Sequence, residues 1–479
     1  MKYEPVIGLE VHVQLNTQTK LFCACPAEFG AEPNSNTCPI CQGYPGVLPV
    51  FNKEVLKKAI QAGLATECQI SSYSKFDRKN YFYPDLPKAY QISQYDLPIC
   101  KSGKIRITLE DKTIKEIRIN RIHIEEDAGK LIHSDTKGVN ESYVDLNRCG
   151  TPLLEIVSEP DMRNSQEAYT YLAELKQILE YIRVSDCDME KGSFRCDANV
   201  SIRPVGQKEF GTRAEVKNMN SLSNVKKAIE YEIKRQSKLL DKGEKVVQET
   251  RLYDADKDAT YSMRSKEEAH DYRYFPDPDL VPVEVQNSYI EDLKSRLPEL
   301  PQQKRKRYVT EFEIPEYDAE ILTANLELAG YYEAAVAVYP KDPKRVSNWI
   351  MSEMMKFLNE QNVRADQFVV SPKSLAELFL LQDEGKINGK IAKTVFEKMV
   401  QTGENAQTII EKEGLIQVSD TGEIEAVIVN IIKNNPGPAE QYRSGKTNVL
   451  GFFVGQVMKE TRGKANPQVV NELLVKHLS

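Results

Sequence analysis

Apolar positions along the chain follow two different periods, and the change falls near residue 290. Before it, apolar and polar residues alternate in short runs, the signature of half-buried strands. In 6–15, Ile7, Leu9, Val11 and Val13 point one way, while Glu10, His12 and Gln14 point the other. Segments 105–109 and 114–125 read as an antiparallel pair, with Ile122 and Ile124 on one side and His123 and Glu125 on the other. Val144 and Leu146 flank Asp145. A turn follows at Gly150-Thr-Pro152, then an apolar strand of Leu153, Leu154, Ile156 and Val157 that carries a single acid, Glu155. In 192–203, Arg195, Asp197, Asn199, Ser201 and Arg203 share one face, and Arg213, Glu215 and Lys217 align in the next run. An all-polar strand face predicts a wet groove. Helices are predicted over 52–66 with Asn52 as cap, 166–182 with Ser165 as cap, and 222–240; short strands return over 250–264.

Beyond 295 the period becomes helical, over 302–311, 325–338, 344–359, 372–383 and 389–400, then 422–433, 437–444, 447–460 and 466–478. The fold class expected is therefore α+β: a large domain, 1–293, around an antiparallel sheet, then two small all-α units, 294–404 and 405–479.

Composition changes this picture little. With 479 residues and a net charge of −7, the chain is not globally basic, so nucleic-acid contact must use local patches. Two such patches are visible. Lys304-Arg-Lys-Arg307 reads as a solvated helix face. From Glu440 onward, Arg443, Lys446, Lys459, Arg462, Lys464 and Lys476 outnumber the acids and cluster at helix ends, a phosphate-backbone surface. No apolar h-region opens the sequence and no apolar run reaches the roughly 18–20 residues that span a bilayer, so a cytoplasmic, membrane-free protein is expected.

In a reducing compartment, the paired cysteines Cys23-x-Cys25 and Cys38-x-x-Cys41 point to a metal rather than to disulfides. Four thiolates suit a structural Zn²⁺ with no open position. Glu155, alone in an apolar run, must be paired: either with Arg148 or as a cation ligand. Glu125-Glu126-Asp127 is either a solvated hairpin tip or a set of acids gathered by a cation. Glu10, His12, Glu125 and Glu155 together could ligate Mg²⁺. Arginine and lysine on neighbouring strands suit triphosphate oxygens, although cross-strand salt bridges would look the same. Segment 75–94 crowds bases, aromatics, prolines and acids in the manner of a substrate surface. Asp271-Tyr-Arg-Tyr-Phe-Pro-Asp277 echoes its Tyr81-Phe-Tyr-Pro-Asp85. The chain has no P-loop, no dinucleotide fingerprint, no Gly-x-Ser-x-Gly elbow and no serine-rich amidase loop. Cys149 has no activating base beside it, so it is not expected to be a nucleophile.

The run from Asp145-x-Asn147-Arg148-x-Gly150-x-Pro152 through Glu155-Ile-Val-Ser-Glu-Pro-Asp161, with Lys79-Asn-Tyr-Phe-Tyr-Pro-Asp-Leu-Pro-Lys88, resembles the B-subunit family of the aspartyl/glutamyl-tRNA amidotransferases over essentially the whole chain. The resemblance implies a protein that binds misacylated tRNA, phosphorylates the misplaced Glu or Asp side chain with ATP, and amidates it with ammonia. It also implies two partners: a glutaminase of the amidase type, which hydrolyses glutamine, and a small third subunit, which clasps the pair. On that reading Glu10, His12, Glu125 and Glu155 hold Mg²⁺; Lys79, Arg195 and Arg213 meet ATP phosphates; Asp197 and Asn199 position the metal or the aminoacyl end; Lys88 and Glu125 gate ammonia; and the helical units bind tRNA. Two rivals remain: a non-catalytic zinc-containing tRNA-binding module, and a free-standing ATP-dependent ligase that uses free ammonia.

Overall fold

The computed structural model describes residues 2–133, 141–265, 269–415, 421–461, 465 and 467–479. The chain divides into two compact units, Met1–Leu300 and Pro301–Ser479. The strands of the first are β1 (Tyr3–Gln14), β2 (Gln69–Ile70), β3 (Tyr73–Ser74), β4 (Asp77–Asn80), β5 (Tyr90–Ser93), β6 (Cys100–Thr108), β7 (Ile114–Glu126), β8 (Lys130–His133), β9 (Ser142–Asp145), β10 (Pro152–Ser158), β11 (Phe194–Pro204), β12 (Ala214–Met219), β13 (Glu249–Asp254), β14 (Ala259–Ser265), β15 (Phe275–Pro276) and β16 (Val283–Glu284). Nine of them, among the described residues, form one sheet in the order β14-β13-β12-β11-β1-β10-β7-β6-β2. The N-terminal strand thus lies in the middle.

The sheet is mixed rather than purely antiparallel, because β12 and β13 run parallel. They are joined by helix α3 (Leu222–Asp241), and parallel neighbours require such a crossover. Helices α1 (Lys53–Ala65), α2 (Ser165–Tyr181) and α3 pack on one face of the sheet. The apolar alternates Ile7, Leu9, Val11, Val13, Ile122, Ile124, Leu154, Ile156 and Val200 are buried in that core. The polar alternates are left on the opposite face.

Asn52 caps α1 through the Glu54 amide, as its sequence position predicts. The cap of α2 is Asn164, not Ser165: Asn164 accepts from the Glu167 amide and donates to the Glu167 carboxylate at 3.1 Å, while Ser165 Oγ donates to Glu230 at 2.8 Å. The two tyrosine-rich echoes meet in space. β15 pairs with β4, Phe275 opposite Arg78, in a small β15-β4-β5 sheet. A short helix α4 (Asn287–Ser295), which the periodicity does not mark, follows; Leu293, Leu297 and Leu300 pack on the first core, which moves the boundary from 293 to 300.

The second unit comprises α5 (Pro301–Glu311), α6 (Glu316–Leu322), α7 (Leu326–Val338), α8 (Pro343–Trp349), α9 (Met355–Gln361), α10 (Pro372–Asp383), α11 (Gly389–Thr402), α12 (Ala406–Glu413), α13 (Thr421–Asn434), α14 (Pro436–Arg443), α15 (Leu450–Glu460) and α16 (Pro467–Leu478). A π-helical turn, Ile350–Met354, breaks the expected 344–359 helix. One apolar cluster runs from Tyr308 to Ile410 and a smaller one from Ile424 to Leu478. Ala406, Ile409 and Ile410 belong to the first, so a boundary at 405 would cut into it. Lys304 is not a solvated surface residue; it is buried, and Lys304 at 2.7 Å and Arg307 both pair with Glu333. Arg462 and Lys464 of the basic tail lie outside the described residues. No described helix is long and apolar enough to cross a membrane.

Candidate active site

Strand register assembles the site. On the polar face of the sheet, β11, β1, β10 and β7 set Arg195, His12, Glu155 and His123 side by side in one row. Glu125 lies two residues beyond His123 on the same face of β7. His12 Nε2 is 3.4 Å from Glu155 and 3.5 Å from Glu125. His123 Nε2 is 3.4 Å from Glu155 and 3.7 Å from Glu125. Two carboxylates are thus held between two imidazoles.

Burial opposes ionisation of Glu155, but His123 and His12 outweigh it and keep its carboxyl well below the usual range. Burial equally opposes protonation of His123, yet Glu155 and Glu125 push it up to about 9. Glu125, Glu126 and Asp127 are 2, 3 and 5% exposed, which rules out a solvated hairpin tip. Arg148 pairs with Asp127 at 2.7 Å, so it is not the partner of Glu155.

Three of the four expected metal ligands converge. One ligand atom each from His12, Glu125 and Glu155 lies within 4.8 Å of the others. Glu10 does not join them. It occupies the next row, opposite Asp197, and accepts from Asn199 Nδ2 at 2.8 Å. Lys79, on β4, lies close enough to feel both Glu125 and Glu155; burial alone would depress its ammonium, but these carboxylates hold it above the usual lysine range. The Tyr272 and Tyr81 rings, 4.9 and 5.6 Å away, flank its ammonium. Lys88 pairs with Glu126, not with Glu125, and Glu126 also accepts from the Ile92 amide at 2.9 Å. Arg195 donates to Asp127 at 3.0 Å. Asp197 pairs with Lys217. Arg213 precedes β12 and is exposed; with Glu10, Asn199, Ser201 and Phe210 it lines a pocket of about 200 Å³ that opens past Gly8.

Alternation places His123 on the same face as Glu125 but gives it no role. It does not mark Asp127 and Glu126 as individual partners, nor Lys217. An acid one or two residues past a strand-borne acid is the signal that could have found the first two.

The four cysteines of the two pairs also converge, with Sγ atoms within 4.8 Å of one another. The fully buried Lys20 donates to Asn36 O (2.8 Å), Leu146 O (3.3 Å) and Cys41 Sγ (3.6 Å). Hydrogen bonding from Cys23, opposed by burial, lowers the Cys41 thiol to about 4. Such a set fits a thiophilic cation. Asn34 and Asn36 of the intervening loop bond to the 144–147 backbone and side chains, including Asn36 N to Asn147 Oδ1 at 2.8 Å. Cys149 is buried, and burial pushes its thiol up to about 12, in keeping with a non-nucleophile.

Residues 5–291 match the model of the GatB/GatE catalytic domain, and residues 330–478 match that of a GatB domain. The chain is 58% identical to the B subunit of the aspartyl/glutamyl-tRNA(Asn/Gln) amidotransferase of Geobacter sp. (strain M21) and 59% identical to that of Geotalea daltonii, over 100% of each chain. It is 56% identical to that of Persephonella marina over 99% of each chain.

Proposed function

The chain belongs to the GatB/GatE family, and from that membership we propose that it is the tRNA-directed subunit of a glutamine-dependent amidotransferase. It activates the side-chain carboxylate of Glu on tRNA(Gln) or of Asp on tRNA(Asn) with ATP. It then amidates the activated group with ammonia released by a separate amidase subunit, in a complex that includes a small third subunit. A carboxylate is a poor electrophile, so activation comes first. The carboxylate oxygen attacks the γ-phosphorus and the bond to ADP breaks, giving an acyl phosphate. Ammonia attacks the carbonyl carbon, inorganic phosphate leaves, and a proton is lost.

The cluster of half-buried His12 with buried Glu125 and Glu155 carries this reading. A pure binding module has no need of two carboxylates that would repel RNA, so the zinc-containing binding module is the poorer account. These three residues would hold Mg²⁺, which offsets charge on the phosphate oxygens. Two carboxylates demand positive charge, and a divalent cation meets the demand that imidazolium protons otherwise meet. Arg195, at the end of the row, and Lys79, above the carboxylates, supply cationic donors where charge develops. Glu10, Asn199 and Arg213, around the pocket past Gly8, seat the nucleotide, and Asp197 keeps Lys217 beside it. Lys88 and Glu126 line a small cavity of about 30 Å³ with Phe22, Tyr90 and Ile92. This pair, in place of Lys88 and Glu125, marks the ammonia route, where a closed path prevents protonation and loss. Zn²⁺ on Cys23, Cys25, Cys38 and Cys41 would be structural, since four protein ligands close its coordination. The helical unit binds tRNA.

The test is conversion of radiolabelled Glu-tRNA(Gln) or Asp-tRNA(Asn) by the purified chain with its amidase partner. ATP- and Mg²⁺-dependent amidation that requires this chain is the expected result. A competent partner that gives no amidation on either tRNA would defeat the reading. Amidation with ammonium and without the partner, but glutamine use only with it, would place the glutaminase elsewhere.

A further inference from the structure

Asp127 lies two residues beyond Glu125 and is almost fully buried, yet its carboxylate ligates nothing in the cluster. One oxygen accepts from Arg148 at 2.7 Å and the other from Arg195 at 3.0 Å. The backbone around it is pinned: Asp127 N donates to Thr151 O at 2.8 Å, Gly150 N to Asp127 O at 2.9 Å, and Thr151 N to Arg148 O at 2.9 Å. Asp127 therefore joins the end of β7 to the 145–150 loop.

Burying a carboxylate between two guanidinium groups is costly, and a purely structural pair gains most from a bidentate fork. Here each arginine gives Asp127 a single NH₂ group. Among the described residues neither guanidinium donates another hydrogen bond to the protein. Asp127 is, among the described residues, the only carboxylate that these guanidinium groups hydrogen-bond, while Glu125 and Asp197 act on Arg195 through space. A pair of guanidinium groups with unfilled donors remains. It stands at the end of the row that holds His12 and Glu155, because Arg195 lies directly opposite His12.

We propose that Asp127 is the positioning residue of a two-arginine anion clamp, and that Arg148 joins Arg195 in binding the phosphoryl group as it passes from ATP to the substrate carboxylate. This rests on the amidotransferase reading above. As the bond between the γ-phosphorus and the ADP oxygen breaks, charge collects on the equatorial and leaving oxygens. Donors already aimed there need no rearrangement. Asp127 acts only through the two arginines, by fixing one NH₂ of each and directing the rest of the fork outward.

The experiment uses the full chain in complex with its amidase partner and compares Asp127→Asn, Arg148→Ala and the double variant. Asp127→Asn should lower kcat for ATP-dependent amidation by roughly 100-fold, the scale of losing one preorganised donor, with little change in KM for ATP. Arg148→Ala should do the same. The double variant should be no slower than the slower single one, because the two residues act as a unit. Affinity for ADP should hold, while affinity for ADP–aluminium fluoride, which mimics the transferring phosphoryl group, should fall by the factor lost in kcat. Mn²⁺ affinity should not move, although each variant breaks a buried ion pair and should lose some Tm. An Asp127→Asn enzyme with wild-type kcat would overturn the clamp. So would parallel losses of ADP affinity and Mn²⁺ affinity, which would mark a merely structural ion pair. A wild-type complex that consumes no ATP on either tRNA would overturn the functional reading itself, a result distinguishable from both.

Discussion

Glu155 has a histidine across from it on each flanking strand, and this symmetry orders the chemistry of the site at the scale of single residues. His12 and Glu125 complete the proposed Mg²⁺ ligand set on one side. On the other, His123 contacts both carboxylates without entering that set. Replacing Glu125 with Gln removes a ligand while keeping its shape; amidation should fall by roughly 100-fold or more, and Mn²⁺ binding followed by electron paramagnetic resonance should weaken with it. His123→Asn should instead lower Mn²⁺ affinity by about 10- to 100-fold, the cost of losing an outer partner, and leave ADP affinity intact. Alternation alone makes His12, Glu125 and Glu155 readable in the sequence. It cannot separate Glu10 from them. Glu10 shares their face, but it lies on the far side of the His12 row from Glu125, and its carboxylate accepts from Asn199 instead. Nor can it show that His12, Glu155 and His123 form a row, because register between strands separated by more than a hundred residues is set by the whole sheet.

At the scale of elements, the cysteine knuckle and the 145–150 loop form one body. The Asn34 and Asn36 bonds tie the knuckle to Val144, Leu146 and Asn147, and Arg148 follows directly. Removing the proposed Zn²⁺, by chelator or by Cys38→Ser with Cys41→Ser, should lower Tm and speed amide exchange across 144–150; exchange unchanged there would uncouple knuckle from loop. Helix ends are legible where a cap is local: Asn52 is visible in the sequence, but nothing there sets Asn164 apart from its neighbour Ser165. Asn164→Ala should destabilise the first unit by about 1 kcal/mol, measured by denaturant unfolding. Pairings across helices are not legible at all. Lys304 and Arg307 read as a solvated run because Glu333 lies in another helix. Asp383 is a similar case. Burial opposes its ionisation, but Arg345, Lys341 and Tyr339 outweigh it and hold its carboxyl at about 2. Its ordinary value is 3.8. A depressed carboxyl stabilises the fold above that ordinary value, and the contribution disappears as pH falls through the folded one. The Tm difference between wild type and Asp383→Asn should therefore be full at pH 5 and shrink towards pH 2.

At the scale of the molecule, the division into a sheet-based unit and a helical unit is plain from the change of period, while the exact seams are not. Leu297 and Leu300 belong to the first core, and Ile409 and Ile410 to the second. Truncation after residue 415 rather than 405 is thus the clean cut. It should weaken tRNA binding in a filter assay and leave the Mn²⁺ site unchanged; undiminished tRNA affinity would assign tRNA contact elsewhere. The central place of β1 has a further consequence. Tyr3–Gln14 leaves the ribosome long before its neighbours Pro152–Ser158 and Phe194–Pro204 are made. At typical synthesis speeds that interval is of order tens of seconds, during which an apolar strand stands with both edges open. Nascent chains stalled before residue 194 should depend on chaperones and be cut readily by protease, and protection should arrive abruptly once β11 has emerged. The strand that brings His12 to the site is thus one that the cell must guard through much of the first unit's synthesis.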